Sequence, residues 1–110
     1  MPYDDRLANR VRTALSRRKG LSERRMFGGL AFLLRGHMCC GVLRDELVVR
    51  VGPGRHEEAL GRPHARPMDF TGRPMRGFVY VAPPGCKTDK SLREWVGLGV
   101  AFVRSLPAKS

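Results

Sequence analysis

The chain has 110 residues, 42% of them apolar, with five Phe, two Tyr and one Trp, which is enough for one domain with a core of its own. Its formal charge is +11, carried by 17 Arg and four Lys, a balance that favours polyanionic partners, nucleic acid first. No segment approaches the ~20 apolar residues of a membrane helix and no basic end leads an apolar run, so neither a membrane partner nor a secretory signal is expected. Three cysteines, two of them adjacent, exclude an extracellular disulfide framework and point to free thiols in the cytoplasm.

Residues 4 to 19 predict a helix. Leu7, Val11, Ala14 and Leu15 make one apolar stripe at helical spacing. Asp4 and Asp5 suit its start, Arg17, Arg18 and Lys19 its end, and Gly20 the left-handed position beyond. Arg6, Arg10 and Arg17 share the face opposite the stripe.

From Glu23 to Val51 the period becomes that of strands, near 23–27, 29–34, 38–43 and 46–51, with turns at Arg35-Gly36-His37 and Arg44-Asp45. A tight second turn pairs Val42 with Leu47, Cys40 with Val49 and Met38 with Val51. A three-residue first turn pairs Leu34 with Met38, Phe32 with Cys40 and Leu30 with Val42. Both hairpins then put their large apolar residues on one face, and a one-residue slip would break that agreement. The other face carries Gly29, Ala31, Leu33, Cys39, Gly41, Leu43, Val48 and Arg50. It is small-featured and would be open unless a partner covers it.

A short helix is expected at 54–61. Residues 62 to 77, with three Pro and two Gly, read as turns, and Gly77 to Val81 as a strand. Ser91 with Glu94 forms a capping-box pattern ahead of a last helix near 91–106, with Leu92, Trp95, Val96, Gly99, Phe102, Val103 and Leu106 at helical spacing. These elements predict a two-layer α+β domain, an antiparallel sheet with helices packed on one face. Leu7, Val11, Leu15, Phe32, Val49, Trp95, Phe102 and Val103 are its expected core.

Few residues offer chemistry. Neighbours on a strand point to opposite faces, so Cys39 and Cys40 should not share a metal ion. Cys40 falls on the core face. Cys39 falls on the other, across from Arg50, whose guanidinium would favour a reactive thiolate there. His37, His56 and His64 share no ligand spacing, and neither a metal nor another cofactor is expected. Two stretches could grip nucleic acid: Arg6, Arg10, Arg17, Arg18 and Lys19 on the first helix, and Arg62, Arg66, Arg73 and Arg76, interleaved with Met68, Phe70 and Met75.

Three segments carry a resemblance. The run Met26-Phe27-Gly28-Gly29-Leu30-Ala31-Phe32-Leu33-Leu34 continues through Met38-Cys39-Cys40-Gly41-Val42. With Phe70-Thr71-Gly72-Arg73-Pro74-Met75 and Gly77-Phe78-Val79-Tyr80-Val81 it resembles the TfoX (Sxy) N-terminal domain family over roughly Tyr3 to Pro107. The resemblance implies a two-layer domain and a stand-alone, single-domain member. The family's named members regulate DNA-uptake competence genes, acting with a cyclic-AMP-dependent transcription activator. It supplies no catalytic or binding residues to carry over.

The expected function is therefore a small non-catalytic regulatory or protein-binding module, related to transcription. Its partner would be a protein, or a second copy docked on Gly29, Ala31, Leu33, Gly41, Leu43 and Val48. The alternatives are direct, weakly specific nucleic-acid binding and a small redox or enzymatic protein using Cys39.

Overall fold

The structure, a computed structural model, describes residues 3–26, 28–70 and 73–107. Helix α1 (Asp5–Leu15) is followed by strands β1 (Leu21–Met26), β2 (Gly29–Leu34), β3 (His37–Leu43) and β4 (Glu46–Arg50). A 3-10 turn at Pro53–Arg55 leads into α2 (His56–Leu60), then β5 (Ala65–Phe70) and β6 (Arg73–Val81). A second 3-10 turn at Pro83–Cys86 precedes α3 (Asp89–Arg104). The six strands form one antiparallel sheet in the order β1-β2-β3-β4-β6-β5, and the helices pack on one face of it.

Helix α1 starts where Asp4 accepts the amides of Arg6 and Leu7. It stops at Leu15, four residues short of the expected end. The Thr13 hydroxyl donates to the Asn9 carbonyl and the Ser16 hydroxyl to the Thr13 carbonyl, so polar side chains compete for the last turn. Arg17, Arg18 and Lys19 therefore stand on a non-helical turn that Gly20 closes at φ 79°. Helix α3 is capped by Thr88, which accepts the Ser91 amide at 3.0 Å, and not by Ser91 itself.

The ladder between β3 and β4 pairs Val42 with Leu47 and Cys40 with Val49, as the alternation requires. It ends there, so Met38 does not reach Val51. Between β2 and β3, Leu30 meets Val42 and Phe32 meets Cys40. Beyond them the register shifts, and Leu33 meets Met38 while Leu34 meets His37. Cys39 is the extra residue of a β-bulge. The bulge follows from a turn of two residues, Arg35 and Gly36, both at positive φ, where three were expected. Its effect is to turn Cys39 toward the helices beside Cys40 and Met38 to the opposite face.

The segment expected to be turns is a hairpin. Pro67 is tolerated in β5 because that strand is the edge of the sheet, where its missing donor costs no ladder bond, and a second register shift lies between Pro67 and Asp69. The predicted end of the first strand at Phe27 and the turn residues Thr71 and Gly72 lie outside the described residues.

The main core joins Val11, Leu15, Phe32, Val49, Trp95 and Val103, all buried, while Phe102 is only partly so. Each such side chain contributes about 1.5–3 kcal/mol when fully buried. A smaller core lies on the other face: Val48, Met68 and Tyr80, with Met38, Leu43, Met75 and Phe78 around them. Met26 on one edge strand and Met68 on the other line the same tight cavity of about 10 Å³, with Ala31, Gly41 and Val48. In a flat sheet those edges would be about 24 Å apart. The sheet therefore curls, and its own methionines fill the concave side.

Candidate anion-binding groove

A groove runs between the C-terminal half of α1 and the outer side of α3. Three adjoining depressions of about 730, 410 and 110 Å³ share Arg18, and each pair shares further lining residues. Arg10, Arg17, Arg18 and Arg93 line the first, and Lys19, Arg35 and Arg104 join in the second. All but Arg10 are exposed. Asp89 is the single carboxylate in the described lining, and it is paired with Arg10 at 3.4 Å. The floor is aliphatic: Ala14, Leu34, Leu92, Val96 and Val100, with Gly97 between them.

Each part of the groove is placed by a local cause. Early termination of α1 throws out Arg17, Arg18 and Lys19. The tight turn after β2 presents Arg35. Arg93 and Arg104 are eleven residues apart, three turns of helix, and so share one side of α3. The ring of His37 bonds the Pro107 carbonyl through Nε2 at 2.7 Å, fixing the chain just beyond α3. Six exposed cations facing one engaged carboxylate create a local excess of positive potential suited to an anionic ligand.

The two cysteines form a second cluster. The bulge sets Cys39 and Cys40 on one face with their Sγ atoms 3.8 Å apart, both fully buried. Cys39 also donates to the Phe32 carbonyl at 3.4 Å. The hydrogen bond from Cys40 holds the Cys39 thiol below the usual range, although burial opposes this. Donating that bond, together with burial, pushes Cys40 well above it. Cys86 is separately buried, and burial raises it as well.

A family model described as the TfoX N-terminal domain matches residues 13–103. The chain belongs to this family. No curated protein and no solved structure matches it. The matched span of the TfoX N-terminal domain takes in all six strands and every cation of the groove except Arg10 and Arg104.

In this TfoX N-terminal domain the residues expected to bind nucleic acid divide. Arg10, Arg17, Arg18 and Lys19 come together in the groove. Arg6, in the first turn of α1, does not line it. In the second stretch two of the arginines are engaged with aromatic rings. Arg62 lies over Trp95 at 5.4 Å, and Arg66 stacks on Tyr80 at 4.3 Å while pairing with the nearly buried Glu46. Arg76 is exposed, and the Arg73 side chain lies outside the described residues. Sequence reasoning missed Arg35, Arg93 and Arg104. The eleven-residue spacing of the last two was the available signal.

Two further expectations are corrected. Cys39 does not lie across from Arg50, because the bulge rotates it to the helical face. Arg50 instead pairs with Phe78 in β6 and sits over the rings of Phe78 and Phe102 at 5.6 and 5.2 Å. The small-featured face is not open. Gly29, Ala31, Leu33, Gly41 and Val48 are buried within the chain, and Leu43 is half-buried, because the curled sheet covers them.

Proposed function

We propose that this TfoX-family domain is a small non-catalytic regulatory module that works by holding an anionic partner in the α1–α3 groove. The observation that carries the reading is the collection of Arg17, Arg18, Lys19, Arg35, Arg93 and Arg104 on one continuous depression whose single described carboxylate is already engaged. Family membership supports a regulatory role, and transcription is the process the named relatives suggest. The reduced cysteines fit a cytoplasmic setting.

The test compares two variants of equal charge. Arg17→Glu, Arg18→Glu and Arg93→Glu together cancel the net positive charge of the groove. Arg25→Glu, Arg55→Glu and Arg76→Glu together make the same change on exposed positions outside it. Immobilised heparin and poly-glutamate serve as the anionic probes. The groove variant should elute at clearly lower salt than the control variant from both. Equal losses in the two variants would reduce the effect to net charge and overturn the reading.

A further inference from the structure

Resting on that reading, we infer that the occupant of the groove is an acidic amphipathic helix of a protein partner. The lining itself selects this occupant. Among the described residues it contains no aromatic ring on which a base could stack, and no Asn or Gln to read a base edge. The hydroxyls of Thr13 and Ser16 are spent on backbone carbonyls. What remains is an aliphatic floor between two rows of long cationic side chains.

The dimensions match. Arg93 and Arg104 span about 16 Å along α3, which is about three turns of a docked helix. At the middle of the floor the side chains are small. Ala14 and Gly97 are half-exposed, and a Cβ placed on Gly97 would meet nothing within 4 Å. That opening lets a helix approach α1 and α3 closely, as a third helix laid on a packed pair, with its apolar stripe down and its carboxylates toward the arginines. The charge of the partner follows from the rims, since six exposed cations attract an acidic helix and repel a basic one.

The experiment titrates the full chain with four labelled probes. They are a helix-forming peptide of about three turns with a Leu/Ala stripe and Glu elsewhere, a scramble of the same composition, a single-stranded oligonucleotide and a duplex. The amphipathic peptide should bind at least about tenfold more tightly than its scramble, a difference that composition alone cannot produce. Gly97→Leu fills the open floor and should weaken the peptide by about tenfold. Its circular dichroism and melting midpoint should stay those of the parent chain, and the duplex should be unaffected by it. Equal binding of peptide and scramble, or preference for either nucleic acid, overturns the helix while leaving an anion groove in place. Failure of every probe overturns the groove as well.

Discussion

The carbonyl group of Cys39 lies directly against Gly99. A Cβ added to that glycine would collide with the Cys39 carbonyl oxygen. The bulge pushes the β3 backbone toward α3 at a point where the helix has no side chain, so the two irregularities are complementary. Because the obstacle is backbone in the middle of the sheet, it cannot swing aside. Gly99→Ala should destabilise the fold by about 1–3 kcal/mol even though alanine is the better helix former. A denaturant melt gives the answer, and an unchanged midpoint would mean that α3 can lift off the sheet freely. Gly97→Ala, two residues away and facing open space, is the matched control and should hold or raise the midpoint.

His56 fastens the start of α2 to the sheet. Its Nδ1 accepts the buried Gly77 amide at 3.0 Å, at the point where β6 passes through φ 91°. The neutral ring must therefore carry its proton on Nε2. His56→Ala leaves that amide without a partner and should cost about 1–3 kcal/mol. His56→Asn, which keeps an acceptor near the same place, should recover part of the loss. Equal destabilisation by both would show that packing, and not the bond, is what matters.

The Arg12–Glu23 pair ties α1 to β1 through two contacts of 2.5 and 2.7 Å. The hydrogen bond from Arg12 holds the Glu23 carboxyl below its ordinary value, against a smaller opposing effect of burial. A carboxylate lowered in the fold adds stability above its unfolded pKa, about 4.3, and loses it as pH falls through the lower folded value. Glu23 is 31% and Arg12 42% exposed at the side chain, so screening keeps the contribution below about 1 kcal/mol. Carboxyl-resolved NMR titration should find Glu23 titrating below the ordinary glutamate value, about 4.3. Arg12→Ala should move it back up, and no movement would show that the pair does not hold the carboxyl down.

The cysteine pair should be slow to react. Both thiols are fully buried, so alkylation of the native protein at neutral pH should follow opening of the fold and accelerate sharply in denaturant. Arg50→Ala should leave the rate of Cys39 labelling unchanged, since that guanidinium lies over two rings away from the sulfur. Cys40→Ala removes the donor that favours the Cys39 thiolate, and the Cys39 titration, followed by thiolate absorbance, should move upward. Rapid native labelling that depends on Arg50 would restore a reactive thiol.

Regular alternation made much of the sheet legible. Leu30, Phe32, Val42, Leu47 and Val49 mark one face by their period alone, and the stripe Leu7, Val11, Leu15 marks the helix that covers it. The bulge was hidden because an inserted residue breaks the period without any special composition, and Cys39 is as small and apolar as its neighbours. Strand β5 was hidden for a different reason: Pro67 argues against a central strand, and nothing local says that this strand is an edge. The groove was half legible. Its α1 side showed as a basic run, whereas Arg93 and Arg104 were overlooked because α3 was read for its apolar stripe and not for the side facing away from it.

Four of the arginines do a different job from charge. Arg12 lies over Phe32, Arg50 over Phe78 and Phe102, Arg62 over Trp95 and Arg66 over Tyr80. Their flat guanidinium groups roof the rims of both cores, so part of the formal +11 is masonry. Exchange to lysine would leave the isoelectric point almost where it is while separating the two populations. At Arg12, Arg50, Arg62 and Arg66 it would unroof aromatic rings and soften the fold. At Arg17, Arg18, Arg93 and Arg104 the fold should hardly register the exchange, and only the grip on the partner's carboxylates would loosen.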